Sequence, residues 1–334
     1  MTTIAVGYPS SWDVSGWSSD HAADRRPGLW PYGLDRLGSG VPDVDLESIS
    51  VSRRSVFSSQ KAPASDSGER RIAVGWDETT LVRLLGLRGF DSTFGGVIWN
   101  TDAAGSLTQR LRSRSVRTQL RRANGLWCLS RPQVDQLTEQ LGRSAPPVEF
   151  VRFGIDTEFF RPSPYPDQPL VASVGGDRDR DTDTLFAAMH RVHSLRPDVE
   201  IVVQTSSTKS PPDGVKVVPH FTHVQLRSLY QRASVVAIAT RPNMHVSGMT
   251  VSLEAMSTGR PVVITQTSGM DDYVHDGIGR LVKPSNHAAL ADNVLELLGS
   301  PDAAETLGKL AQENVQANHT SDAMARQITQ FILR

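Results

Sequence analysis

"HVSGMTVSLEAMSTGRPVVIT", His245 to Thr265, sets a polar turn before a short apolar helix and closes with a strand-forming run. Ser247 offers a hydroxyl able to cap a free helical amide, and Gly248 lets the backbone approach a ligand with no side chain in between. The amides of Gly248, Met249 and Thr250, aligned with the helix dipole, then make a seat suited to phosphate. Glu254 follows one to two turns later, where a carboxylate can accept ribose hydroxyls. Val251, Met256 and "RPVVI" bury the far face. On these residues alone a plainer reading stays open: Ser247 caps, Gly248 turns and Glu254 faces water.

Outward from this stretch, strand and helix alternate. "LVASVGG", "VEIVVQT", "VKVVPHF", "SVVAIAT" and "RPVVIT" are short apolar runs suited to buried parallel strands. "TDTLFAAMHRVHSLRP", "THVQLRSLYQRA" and "NHAALADNVLELLG" supply helices between and after them. The first half follows the same logic less clearly. "TTIAVGY", "RRIAVGWD", "FGGVIWN", "ANGLWCLS" and "PPVEFVRFGI" read as strands, with "ETTLVRLLGLRG" and "RPQVDQLTEQLG" as helices. No periodicity organises Pro9 to Gly40. "GIDTEFFRPSPYPDQP" breaks the alternation with prolines and acids, which puts the junction between about Gly154 and Pro169. The expected fold is α/β, two Rossmann-like doubly wound parallel-sheet domains facing across a cleft, with ligands bound at the carboxyl ends of the strands. The division expected is 1–155, 156–317 and a last helix, 318–334, that crosses back to the first domain.

Composition narrows the function. A chain of 334 residues suits two domains, and its formal charge of -1 gives no overall pull toward nucleic acid or acidic membrane. No apolar run is long enough to span a bilayer and the N-terminus lacks a signal-peptide pattern, so a cytoplasmic location is expected. Cys128 is the only cysteine, which excludes an internal disulfide and a thiolate cluster for zinc. Arginine far outnumbers lysine, read as the genomic habit of a GC-rich bacterium. Between Ala103 and Arg131 the arginines at 110, 114, 117 and 121 fall on one helical face. That stripe suits an anionic acceptor or peripheral membrane contact, or is a solvated face; without an aromatic platform it does not indicate nucleic acid. The sequence leaves the oligomeric state open.

"SGMTVSLEAMSTGRPVV", with "TSGMDDYVHDGIGRLVKPSNHAALADNVLELL" after it and "VRFGIDTEFFRP" before it, resembles glycosyltransferase family 4, the retaining, nucleotide-sugar-dependent enzymes of GT-B fold (glycosyl transferases group 1). The match runs from about Asn124 to Leu298. The resemblance implies a donor, UDP- or GDP-sugar, held mainly by the C-terminal domain, an acceptor hydroxyl on the N-terminal one, and no metal or other cofactor. It implies further that Glu254 holds the ribose, as the second glutamate of the family's paired-glutamate motif. Val246 stands where the first would be, a departure bearing on sugar choice and on activity. The first half is shorter than many GT-B acceptor domains, which fits a small or medium acceptor in secondary-metabolite or surface-glycan biosynthesis. The alternatives are a noncatalytic sugar-nucleotide-binding protein and a GT-B epimerase or hydrolase.

A metal-free transfer must offset the charge growing on the leaving diphosphate with fixed cations or amides. "GGDRDRDTDT" is the expected loop, with Gly175 as its tight turn, Arg180 as the nearest cation and Arg178 second; the competing reading is a solvated, self-paired loop. Gly176 occupies the family's usual arginine position. Ser268, Gly269 and Met270 offer amides to the distal phosphate or sugar. Gly16 is the expected close-approach glycine of the first domain. Trp12, Trp17, His21, Trp30 and Tyr32 present flat faces for an acceptor, and Asn100 and Asp102 end a strand where either can bond the acceptor or the transferred sugar.

Overall fold

The computed structural model describes residues 1–52, 70–101 and 107–334. Two compact units divide the chain: Met1–Ala22, Gly28–Phe153 and Ser321–Arg334 form the first, and Ala23–Pro27 with Gly154–Thr320 the second.

The first unit is a parallel sheet of β1 (Thr2–Pro9), β2 (Val44–Val51), β3 (Arg70–Gly75), β4 (Ser92–Gly96), β5 (Gly125–Cys128) and β6 (Val148–Phe150), in the order β2-β1-β3-β4-β5-β6. β1 and β3 are almost wholly buried, as their unbroken apolar runs require of strands covered on both faces. Around them lie α1 (Val14–Ala22), α2 (Glu78–Leu84), α3 (Leu107–Leu120) and α4 (Arg131–Leu141). Asp77 caps α2 by accepting from the Thr80 amide, and Ser130 caps α4 by accepting from Gln133. β2 is not evident from the sequence, because "VDLESISV" sits at the sheet edge with only part of its length buried and so carries no clean alternation.

The second unit comprises β7 (Leu170–Val174), α5 (Thr182–Leu195), β8 (Glu200–Gln204), β9 (Val215–Val218), α6 (His223–Arg232), β10 (Val235–Ile238), α7 (Met249–Ser257), β11 (Val262–Thr265), β12 (Arg280–Val282), α8 (His287–Gly299) and α9 (Pro301–Asn318). Its strands, all parallel, run β12-β11-β10-β7-β8-β9. α5 and α8 share a core with the sheet, in which Met189, Val192, Val203, Leu290 and Val294 are fully shielded from water. Fully burying one such side chain contributes roughly 1.5–3 kcal/mol. The final helix, α10 (Ser321–Ile332), belongs to the first unit: Phe331 meets Phe94 edge-on at 5.6 Å, and Thr329 accepts from the Gly38 amide at 3.0 Å.

These are the paired Rossmann-like units of a GT-B fold. In the second unit the sheet order reverses between β7 and β10; in the first it reverses between β1 and β3. Such a switch point opens a crevice at the carboxyl ends of its two strands.

Candidate functional site

The loops after β7 and β10 meet at the second unit's switch point, and both are rich in the residues picked out above. Gly175 has φ +148°, and a Cβ there would lie 2.2 Å from Arg180 Nε and 2.3 Å from its Cζ. The guanidinium therefore lies directly against the glycine backbone. Its Nε donates to Asp177 Oδ2 at 2.7 Å, whereas Nη1 is buried with no hydrogen-bond partner among the described residues. A Cβ on Gly248 would stand 3.3 Å from that Nη1, so the free edge of Arg180 adjoins the start of α7. Arg178 points elsewhere: it is more than half exposed and pairs with Asp179 at 3.0 Å. The interleaved Asp and Arg thus do pair within the loop, and one pair is turned inward.

The start of α7 differs from the sequence expectation in two respects. Its cap position is Gly248, with φ +98° and no side-chain bond, not Ser247. Ser247 Oγ instead donates to Asp177 Oδ1 at 2.8 Å, because the turn carries that hydroxyl toward the β7 loop. The Met249 amide is also committed, donating to the Val246 carbonyl at 3.1 Å. Among the described residues the amides of Gly248 and Thr250 make no such bond, which leaves two of the three expected donors unengaged there. Val246 has φ +54°, an uncommon conformation for a β-branched residue.

Glu254 does not face water. It is buried on α7, accepts from the Tyr230 hydroxyl at 3.0 Å, and burial pushes its pKa up to about 8 against Tyr230's opposing bond. The carboxyl therefore holds a proton near neutral pH until something draws it off. Burial also raises Asp177, but Arg180, Ser247 and the Asp179 amide outweigh it and hold that carboxyl below the ordinary range.

Asp177, Asp179 and His245 bring ligand atoms within 4.8 Å of one another. Both Asp177 oxygens already receive hydrogen bonds, one from Ser247 and one from Arg180. Asp179 Oδ2 is shared between Arg178 at 3.0 Å and His245 Nε2 at 3.6 Å. With guanidinium groups on both carboxylates, the donors serve the loop's own network.

The other expected residues are less concentrated. Ser268 is exposed and Gly269 has φ +82°, but the Met270 amide donates to Thr267 at 3.0 Å and its side chain is fully buried. Met270 therefore cannot offer that amide to a phosphate. In the first unit, Gly16 lies in α1, its amide donating to Asp13 Oδ1 at 2.8 Å, and the Asp13 carboxylate fills the space a Cβ would take. His21 ends the same helix, and Trp17 bonds the Gly28 carbonyl at 3.1 Å. Trp12 stacks on Tyr32 at 6.0 Å, and Tyr32 on Trp76 at 4.5 Å; Trp30 stands edge-on to Tyr8. Trp76 directly follows β3, so this stack occupies the switch point of the first unit. Asn100 follows the β4 loop with a buried Oδ1 that has no partner among the described residues. Asp102 lies outside the described residues. Sequence reasoning missed Asp177, Tyr230, His245 and Trp76; the first was in view, but nothing in an alternating Asp-Arg run says which pair turns inward.

Residues 168–300 match the family model described as Glycosyl transferases group 1. The matched residues all lie within the second unit. D-inositol 3-phosphate glycosyltransferase of Corynebacterium urealyticum is 34% identical over 108 residues, 32% of this chain and 24% of that protein. Alpha-maltose-1-phosphate synthase of Mycolicibacterium smegmatis is 27% identical over 201 residues, 50% of this chain and 51% of that one. The chain thus spans about half, or less, of the length of the curated relatives it matches. Anabaena HepE, in complex with UDP and glucose, superposes with a TM-score of 0.70 over 99% of both chains at 14% identity, a likeness of fold. No helix among the described residues is long and apolar enough to cross a membrane.

Proposed function

We propose that the protein is a retaining glycosyltransferase of the family 4 type, moving a sugar from a UDP- or GDP-sugar to an acceptor hydroxyl of a small or medium molecule. The observation that carries this reading is the buried, unpartnered edge of Arg180 beside the two free amides at the start of α7. A guanidinium and a helix N-terminus converging at a switch point form a fixed positive seat, and a diphosphate leaving group is the anion such a seat stabilises. The relatives' printed names, a glycosyltransferase and a sugar-phosphate synthase, and the UDP in the HepE structure point the same way.

In this reading Arg180 and the amides of Gly248 and Thr250 take the diphosphate, with Arg178 and the Ser268–Gly269 turn at its outer side. Glu254 gives up its proton and accepts the ribose hydroxyls. The breaking bond joins the anomeric carbon to the diphosphate oxygen. The acceptor oxygen attacks the same face, and its proton passes to the departing phosphate oxygen, so no protein base is needed. Charge on the leaving group is offset by Arg180 and the helix start without a metal or other cofactor. The aromatic stack of the first unit and Asn100 receive the acceptor.

A thermal-shift series with UDP, GDP, ADP and dTDP tests the donor class first. Base-selective stabilisation, followed by release of that nucleoside diphosphate from its sugar, is the expected result. A well-folded protein that responds to none of them overturns the proposal. Activity should survive EDTA; a rate lost to chelation and restored by magnesium would refute the metal-free diphosphate seat.

A further inference from the structure

We propose that Asp177 is the positioning residue of this site, a carboxylate that locks Arg180 and the Ser247 turn into one arrangement so that the guanidinium edge faces the leaving diphosphate before the donor arrives. The proposal rests on the donor reading above and adds a residue that touches neither donor nor acceptor.

The loop after β7 contains two ion pairs of the same chemistry in unlike settings. Arg178 is 55% exposed where it pairs with Asp179, itself 22% exposed, so solvent competes for that guanidinium. Asp177 and Arg180 pair at 2.7 Å with side chains 22% and 12% exposed. Asp177 also accepts from Ser247 Oγ at 2.8 Å and from the Asp179 amide at 3.1 Å. Its donors thus come from both loops at the switch point, and the carboxylate bridges them.

The backbone is stitched across the same gap. The Asp181 amide donates to the Ala239 carbonyl at 2.9 Å and the Arg241 amide to the Asp179 carbonyl at 2.8 Å, while within the segment after β10 Asn243 Oδ1 accepts from the Ser247 amide at 2.9 Å. These bonds hold the Ser247 turn even though Val246 takes a left-handed conformation. Gly175 closes the other side, leaving the guanidinium plane no room to swing toward its backbone. Nη1 is left pointing at the start of α7. A carboxylate has no attraction for a diphosphate, so Asp177 acts only by fixing the group that does. Preorganised charge stabilises a transition state without reorganising as it forms, which makes turnover the quantity that suffers when the lock is loosened.

The test is a double-mutant cycle of Asp177→Asn and Arg180→Ala. The readouts are UDP and GDP binding by calorimetry, and release of nucleoside diphosphate from UDP-glucose and GDP-mannose. Asp177→Asn keeps the shape but cannot accept from both side-chain donors; it should lower turnover about ten- to a hundredfold with donor KM within about threefold. In the Arg180→Ala background the same change should add less than about twofold, because the group it positions is gone. Additive losses, or an unchanged rate in Asp177→Asn, would overturn the proposal while leaving the donor reading intact. A parent protein that binds neither nucleotide and cleaves neither donor overturns both. Should Asp177→Asn fail to fold, Ser247→Ala loosens the same carboxylate from the other loop and replaces it in the cycle, with the same expected non-additivity.

Discussion

At the switch point of the first unit, the segments after β1 and β3 carry Trp12 and Trp76, with Tyr32 stacked between them. At that of the second, the loops after β7 and β10 carry Gly175, Asp177, Arg180 and the bare start of α7. Topology makes the same kind of crevice twice, because each sheet reverses its order beside its first strand. What each crevice presents is decided by the residues that follow the strands: ring faces in one, fixed positive charge in the other. The fold supplies the place and the loops supply the chemistry. Each variant below strikes one crevice and should spare the function assigned to the other.

The largest effect belongs to Arg180→Ala, which removes the only side-chain cation at the seat with a buried, unpartnered donor among the described residues. Turnover should fall about a hundred- to a thousandfold, the scale seen when a preorganised donor to a developing anion is deleted. Acceptor KM should hold, and steady-state kinetics with each substrate varied in turn reads the split. Equal rates in variant and parent would return the loop to a solvated, self-paired role. Gly175→Ala should cost less, roughly tenfold in turnover and about 1–3 kcal/mol in stability, since its Cβ displaces the guanidinium and strains a backbone at φ +148°. Thermal unfolding and kinetics together check it.

Glu254→Gln comes next, weakening nucleoside diphosphate binding about tenfold if the carboxylate accepts ribose hydroxyls. The pH dependence sharpens the assignment. An ordinary glutamate titrates near 4.5 and this one at about 8, so between those values the unfolded chain is ionised while the folded protein keeps its proton. Stability from this group is therefore complete below about 4.5 and lost as pH rises toward 8, and Glu254→Gln should flatten that part of the profile. Binding near pH 7 should release a proton, seen as a calorimetric enthalpy that varies with buffer ionisation heat. Binding without proton release would mean that the ribose leaves Glu254 alone.

The difference between the units also explains how far the sequence could be read. β7, β10 and β11 of the second unit are legible because each is a short, wholly buried apolar run between polar turns, as "LVASV" and "SVVAI" show. "VDLESISV" and "RLV" are not, since an edge strand is half-exposed and a three-residue one has too little length for a pattern. At the site, Gly175, Arg180 and Gly248 are recognisable from residue type and position. Ser247 is misread because a hydroxyl before a helix can serve the helix or a neighbouring loop, and only the tertiary approach of Asp177 chooses. Glu254 is singled out by its place after the Ser-Gly turn, yet its burial and its bond to Tyr230 depend on α6 packing beside α7, which no local spacing encodes. Trp76 is overlooked for the same reason: its partner Tyr32 comes from a segment without periodicity.

The smallest expected effect is also the most direct probe of the first unit. Trp12 is 41% exposed at the outer end of the stack, whereas Trp76 is 6% exposed at its base and also contacts Phe153. Trp12→Ala therefore removes a ring face without opening the core, and should raise acceptor KM about two- to tenfold, in line with about 0.5–1.5 kcal/mol for one stacking contact. Trp76→Ala instead empties a packed position and should cost about 3–5 kcal/mol of stability before any binding effect is visible. Donor KM and nucleoside diphosphate affinity should be the same in Trp12→Ala and the parent, because the proposed phosphate seat lies in the other unit. A Trp12→Ala protein with weakened UDP or GDP binding and an untouched acceptor KM would reverse the assignment, making the aromatic stack a platform for the nucleotide base.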